Sequence, residues 1–309
     1  MRRRLTDAAG APVSWSTRMK TLNVIGAGRV GRTLALLWRR QRTFAIGNVL
    51  DGTRDGAQAA VAFIGGGNAV AAISEMSAAD VWMITTPDRV IASSAQQLVH
   101  AGVLRGGDIV FHCSGSMSSA ELAAVAQTGA DVASIHPLKS FADPATAAET
   151  FANTYCVAEG ATAALASLCS AFEEIGGRVA PIDAGFKTVY HAASVMVCNY
   201  LTALLEAGLR SYEKAGIERR TATDMMQPLV SETLKNVLTL GTSAALTGPI
   251  ARGDDVVVAG HLQALDAWDT RISAVYRTLG TIAVDLAQQR GEADRESLRR
   301  METLLRPQP

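Results

Sequence analysis

A doubly wound parallel α/β sheet followed by an all-helical domain is the fold class that this 309-residue sequence predicts. Three observations carry it. Short apolar runs alternate with Ala-rich helical segments from Thr21 to Ser140, as strands and helices alternate around a parallel sheet. A glycine turn, GAGRVG, follows the first run and opens a helix. Beyond Asp183 every long segment has helical rather than strand period.

The elements follow in order. Residues 1–18, MRRRLTDAAGAPVSWSTR, are basic but lack the apolar stretch of a secretory signal and read as a disordered tail. Residues 19–182 read as the α/β domain, with strands in TLNVI, FAIGNVL, DVWMITT, DIVFHC and DVASIHP, then NTYCVAEG, the helix AALASLCSAFEEIG and the run RVAPID. AAVAFIGGGNAVAAISE reads as Ala/Gly-rich chain with GGGN as its turn. Residues 183–309 form the helical domain, broken at Gly216, Gly241 and LTGPIARGD, where Asp254 is placed to cap a helix.

Composition removes several classes of function. The 29 basic and 29 acidic residues cancel and aromatics are only 5%, which leaves no electrostatic footprint for nucleic acid and favours a small neutral or anionic substrate. Cys113, Cys156, Cys169 and Cys198 form no CxxC pair, and the five histidines form no HxH or HxxxH pair, so neither a metal site nor a disulfide framework is expected. A reducing cytoplasm is the expected compartment. No apolar run reaches the roughly 20 residues that span a bilayer, so the chain reads as soluble.

Gly26, Gly28 and Gly31 form GxGxxG in the context that the motif needs, a strand before it and a helix after it. The first glycine permits the tight turn, the second lets backbone amides approach a pyrophosphate, and the third lets the helix pack on the sheet. Ala27, Arg29 and Val30 complete this turn. Asp51 ends the second strand, where an acid binds the ribose of NAD. Thr53 and Arg54 follow it, where an arginine instead holds the 2′-phosphate of NADP. A solvated loop charge is the competing reading of Arg54.

Ligands of open α/β sheets bind beyond the carboxyl ends of the strands. Three ends stand out: Thr86-Pro87; the loop Ser114, Gly115 and Ser116, whose hydroxyls could hold a carboxylate or carbonyl; and His136-Pro137, whose proline keeps the histidine extended. Ser118 and Glu121 have capping-box spacing, His100 and His261 read as structural, and Cys113 reads as packing. Further on, Lys187, His191, Ser194 and Cys198 share one face of a helix whose other positions, including Val189, Met196 and Val197, are apolar. That pattern predicts a polar stripe on an otherwise buried helix. A cation at the helix start opposes the macrodipole, so a ligand is expected to face it.

The motifs GAGRVG, FHCSGS, SIHPLKSF, FKTVYHAASVMVCNYL and LTGPIARGD carry a resemblance from about Lys20 to the end of the chain. The sequence resembles Rossmann-like proteins with a C-terminal domain of unknown function 2520. These are similar to the 6-phosphogluconate, 3-hydroxyacid, ketopantoate and pyrroline-carboxylate dehydrogenases and reductases. The resemblance implies a helical domain like that of 6-phosphogluconate dehydrogenase and an oxidoreductase using NADP or NAD; the apolar helices of the C-terminal half, MMQPLVSETLKNVLTLG among them, carry more hydrophobic surface than one helical layer hides and predict a homodimer. Hydride would pass between nicotinamide and a small carboxylate-bearing keto, imino or hydroxy compound. It also implies that Lys187 is the general acid or base, with His191 where the hydroxyacid enzymes carry asparagine; His136 matches the histidine of the HP motif in prephenate dehydrogenases. Asn199 and Arg252 enter as candidate substrate contacts, Arg252 as a carboxylate clamp. The alternative from another class is a dinucleotide-sensing or scaffold protein without turnover.

Overall fold

The computed structural model describes residues 19–306, so the N-terminal tail lies outside the described residues. The chain divides into two compact units after Val197, rather than at 182/183, which assigns Lys187 and His191 to the sheet-bearing unit. That unit is built on eight strands: β1 (Thr21–Ile25), β2 (Ala45–Leu50), β3 (Asn68–Val70), β4 (Val81–Ile84), β5 (Ile109–His112), β6 (Asp131–Pro137), β7 (Tyr155–Gly160) and β8 (Arg178–Pro181). Their order is β3-β2-β1-β4-β5-β6-β7-β8. The short β3 lies in the Ala/Gly-rich segment that reads as a turn from sequence, because three residues are too few to show a period.

The sheet departs from the all-parallel expectation at one seam, where β7 runs antiparallel to β6. A parallel return needs a crossover that travels the length of the sheet. The link between β6 and β7 carries a single six-residue helix, Pro144–Glu149, and Leu138 N–H pairs at once with Tyr155 O at 2.8 Å. The chain therefore turns back beside β6.

Helices cover both faces, which makes the sheet doubly wound. On one side α1 (Arg29–Gln41) and the helix Thr162–Glu174 enclose Trp38, whose ring meets Phe44, Phe111 and Phe172 edge-on at 5.4, 6.2 and 5.1 Å and whose indole N–H donates to Ala171 O at 2.8 Å. On the other side Trp82, Val110 and Leu122 pack with Ile91 and Leu98 of α3 (Asp88–His100). The helix α2 (Arg54–Ile64) packs instead with the first cluster through Ala60 and Ile64.

The second unit is helical, with its core at Ile250, Val258, Leu262, Val284, Leu298, Met301 and Leu305. Asp254 caps the helix Asp255–Asp266, accepting Val257 N–H at 3.2 Å, as its sequence position predicts. His261 is exposed rather than core-facing, with Nδ1 2.9 Å from the Tyr276 hydroxyl.

Two expectations about the helix that begins at Lys187 are reversed. Lys187 is the buried residue, 1% exposed, whereas Val189 and Val197 are 69% and 75% exposed. Periodicity identifies two faces but does not say which one the rest of the chain covers. The helical stretch Ala184–Lys214 also contains an 18-residue window of mean hydropathy 1.4, apolar enough by composition to cross a membrane, and only 6% of that window is buried.

Candidate functional site

The glycine turn lies where the strand order reverses, between β1 and β4, at their carboxyl ends. Gly26 has φ +88°, and a Cβ there would stand 2.6 Å from the Thr86 backbone nitrogen. Gly31 is equally enclosed: its Cβ would meet the Thr85 hydroxyl at 2.4 Å, and that hydroxyl donates to Gly26 O at 2.6 Å. Gly28 differs, because a Cβ added there meets nothing within 4 Å. Gly28 is also the N-cap of α1 and supplies no capping side chain, so the first-turn amides face open space. Two glycines thus shape the turn, and the third keeps a phosphate-sized approach clear to a helix N-terminus. Ala27 is fully buried, Val30 packs on the core, and Arg29 is exposed at the first position of α1.

Asp51 follows β2 directly, and its carboxylate oxygen is 2.5 Å from where a Cβ on Gly56 would stand. Thr53 is the N-cap of α2, its hydroxyl accepting Gly56 N–H at 3.0 Å. Arg54 is exposed at the first position of that helix. After β4, Thr86 Oγ1 is buried without a hydrogen-bond partner, and Pro87 precedes α3.

The serine loop after β5 is more committed than its sequence suggests. The hydroxyls of Ser114 and Ser116 both donate to Asp88 Oδ2, at 2.9 and 3.0 Å. Ser114 Oγ also accepts the N–H groups of Ser116 and Met117, at 3.2 and 3.0 Å. These hydroxyls therefore hold the loop to the start of α3 and are not free for a ligand. The capping box is also replaced: Ser118 makes no side-chain cap, and the buried Glu159 of β7 takes Ser119 N–H and hydroxyl, both at 2.7 Å.

Beneath this loop lies Lys187. Its ammonium donates to Ser114 O at 3.0 Å and to the Ser134 hydroxyl. Ser134 is paired with His112 across β5 and β6, and its Oγ is 3.4 Å from His112 Nδ1. His112 Nε2 donates to Ser118 O at 3.0 Å, which leaves Nδ1 to accept Ser114 N–H at 3.2 Å. Burial lowers the pKa of Lys187, with the carboxylates of Glu159 and Asp88 opposing it, and burial likewise lowers that of His112. Burial pushes the Cys113 thiol well up, which makes it a packing residue and not a nucleophile.

One turn along the helix, His191 and His136 flank Gly115. A Cβ on that glycine would lie 2.4 Å from His191 Nδ1 and 3.0 Å from His136 Nε2, so glycine is what lets the two rings close on the loop. The rings stand edge to face at 5.8 Å. His191 Nδ1 is buried and has no hydrogen-bond partner. His136 Nδ1 is 2.8 Å from the Tyr190 hydroxyl, and burial, then His191 and Lys187, lower its pKa to about 4.

The structure thus brings Lys187, His191, His136 and Gly115 together at the carboxyl ends of β5 and β6. Asn199 and Arg252 belong to the second unit, where both are exposed. Four members of the cluster escape sequence reasoning: His112, Ser134, Tyr190 and Asp88. His112 ends β5 as His136 nearly ends β6, a strand-end position that is a usable signal. Ser134 has none, since an alternating buried serine looks like any small strand residue.

The β3-β2-β1-β4-β5-β6 order with a glycine turn at its switch point defines a Rossmann-like protein. Residues 10–137 match the model of the Rossmann-like domain, and residues 154–282 match that of the domain of unknown function DUF2520. The chain thus carries a Rossmann-like domain followed by a DUF2520 domain. The crystal structure of protein TM1727 from Thermotoga maritima is similar over 87% of this chain and 99% of that one, at 25% identity and a TM-score of 0.71. BF3122 from Bacteroides fragilis is similar over 87% and 98%, at 22% identity and a TM-score of 0.67. A V8 variant of the imine reductase from Myxococcus stipitatus, in complex with NAD+, is similar over 92% and 99%, at 18% identity and a TM-score of 0.61. No curated protein matches the sequence.

Proposed function

We propose that this protein is an NAD(P)-dependent oxidoreductase acting on a small carboxylate-bearing keto, imino or hydroxy compound, with NADP ahead of NAD as cofactor. The observation that carries the proposal is a buried, pKa-lowered lysine beside two histidines at the carboxyl edge of a sheet whose glycine turn is open to a phosphate. The fold shared with an imine reductase supports it. The residues present fit the dinucleotide: the uncapped start of α1 suits the pyrophosphate, and the orphaned Thr86 hydroxyl suits its nicotinamide end. Asp51 would take a ribose hydroxyl, and Thr53 and Arg54 a 2′-phosphate. The bound nicotinamide supplies or accepts the hydride.

Lys187 supplies or removes the proton at the reacting heteroatom, and His191 and His136 orient that atom. Because the hydroxyls of Ser114 and Ser116 are held by Asp88, this loop meets a substrate through the Gly115 backbone. Asn199 and Arg252 stay as substrate contacts on the strength of the resemblance alone. A sensor without turnover has no use for a buried ammonium maintained against its desolvation cost. The test is a panel of cyclic imines and 2-keto acids followed by the absorbance of reduced nicotinamide, together with titrations of NADH and NADPH. Failure to bind either cofactor would sink the reading.

We further propose a homodimer in a reducing cytoplasm, where the four unpaired cysteines stay thiols. In the second unit Leu229, Leu238 and Ile282 are exposed, and an apolar cavity of about 480 Å³ is lined by Leu204, Tyr212, Met226 and Leu279. A second copy covers such a surface most economically, since the same patch serves both partners.

A further inference from the structure

We propose that Tyr190 is a positioning residue that fixes His136 in its Nε2–H tautomer, so that the imidazole donates a hydrogen bond to the substrate's reacting heteroatom while Lys187 supplies the proton. The role at the substrate rests on the oxidoreductase reading above; the tautomer does not.

The geometry sets the direction of the bond. The Tyr190 hydroxyl is 2.8 Å from His136 Nδ1, with the two rings nearly perpendicular at 78°. Burial raises the pKa of the phenol, so it keeps its proton and must place it on an acceptor. Among the described residues His136 Nδ1 is the acceptor within hydrogen-bond reach of that hydroxyl. The Ser194 hydroxyl, one turn on, donates to the Tyr190 carbonyl at 3.1 Å, and its bond to the phenol opposes the rise in the phenol pKa, which is the effect of a donor to the phenol oxygen and not of an acceptor for its proton. With Nδ1 accepting, a neutral imidazole carries its hydrogen on Nε2.

That hydrogen lies on the loop side of the ring. His136 Nε2 is 3.0 Å from the position that a Gly115 side chain would fill, and it has no protein acceptor among the described residues. A donor without a protein partner beside a glycine chosen for closeness is the arrangement expected of a group that binds a ligand oxygen or nitrogen. His136 is at the same time a poor source of the proton. Burial, His191 and Lys187 all disfavour its cation, and its pKa of about 4 leaves it neutral through the working range. Lys187 donates to Ser114 O and to the Ser134 hydroxyl, and Ser134 is a partner that accepts from the ammonium and can turn to donate to the amine.

The experiment uses the full chain labelled with ¹⁵N-histidine and long-range ¹H–¹⁵N spectra at neutral pH, with the His136 signals identified by their loss in His136→Gln. The wild type should show His136 as the Nε2–H tautomer alone. Tyr190→Phe should show a mixture of tautomers. An Nδ1–H signal in the wild type, or an unchanged tautomer in Tyr190→Phe, would overturn the lock. On a turned-over compound, Tyr190→Phe should lower kcat about tenfold and leave cofactor Kd unchanged. His136→Gln, whose amide N–H can stand where Nε2–H stood, should keep more activity than His136→Leu. Equal losses in those two variants would overturn the donor role. If no compound is turned over, the role at the substrate falls with the oxidoreductase reading, and the spectra still decide the tautomer.

Discussion

Replacing Lys187 by methionine separates chemistry from architecture, because the structure gives separate magnitudes for each. Removing the ammonium takes a donor from Ser114 O and from the Ser134 hydroxyl. Ser134 Oγ is 3.5 Å from Ser114 O, so its own proton can turn to that carbonyl, and about one hydrogen bond is lost outright. A buried carbonyl left short of a donor costs about 1–3 kcal/mol. Against that stands relief from holding a charge in a site where lysine is 1% exposed, and a buried charge replaced by an apolar group of similar volume is often close to neutral. Stability should therefore change by no more than about 2 kcal/mol, read from denaturant unfolding. Turnover should fall about 10²-fold or more if Lys187 carries the proton, roughly 2.7 kcal/mol on the barrier, with cofactor Kd unaltered. In the wild type the basic limb of kcat/KM should lie below 10.5, since burial lowers the lysine pKa and the donor form is lost as pH rises through it. Wild-type turnover in Lys187→Met would refute the catalytic assignment. A stability loss above about 4 kcal/mol would show the ammonium to be a structural tie.

The other outcomes follow from individual contacts. Gly28→Ala should leave the melting temperature unchanged but weaken dinucleotide binding, whereas Gly26→Ala should unfold earlier, since its Cβ strikes backbone and its φ is +88°; the reverse pattern in paired melting and titration experiments would contradict the division of labour among the glycines. Arg54→Ala should weaken NADPH much more than NADH, and equal losses would remove the arginine from the 2′-phosphate. As pH falls from 6.5 to about 4, His136 resists a proton that the unfolded chain accepts, so the folded state should lose up to about 3 kcal/mol that is restored above pH 6.5. His136→Gln should lack that part of the slope in unfolding curves taken across the range. Light scattering at several concentrations should give twice the mass of the 32.4 kDa chain, and a monomer throughout would leave the apolar helices of the second unit without a cover.

Seven of the eight strands are legible in the sequence because each is a short segment of four or more residues, mostly apolar, bounded by turn chemistry. The eighth, β3, is three residues long and lies in alanine and glycine, so it has no period to read. The glycine turn is legible for a different reason: Gly26 and Gly31 are demanded by close approach to Thr86 and Thr85, and a requirement that strict leaves its mark at fixed spacing. The direction of β7 is not legible, because a strand looks the same whichever way its neighbour runs. The serine loop misleads for a related reason. Hydroxyls near a strand end suggest a ligand, but Asp88, 26 residues before Ser114, takes both of them, and no local pattern announces a partner at that distance.

The helix from Lys187 holds the largest reversal. Its sequence separates a polar stripe from an apolar remainder, and burying the apolar part is the usual economy of a soluble chain. Here the sheet-bearing unit encloses the polar stripe instead, with Lys187 under the serine loop and His191 against Gly115, while Val189, Met196 and Val197 stay open. Such an inversion raises the energy of a lone chain twice over, through a desolvated charge and through wet apolar surface. Both costs fall if each face has an outside partner, a ligand for the lysine side and a second copy for the valine side. A point substitution on either side should therefore act on only one property. Val197→Asp, on a residue 75% exposed, should shift the oligomeric state and leave dinucleotide Kd within about twofold, measured on the same samples by scattering and by titration. Loss of both together would mean that the two faces are not independent and that assembly shapes the site.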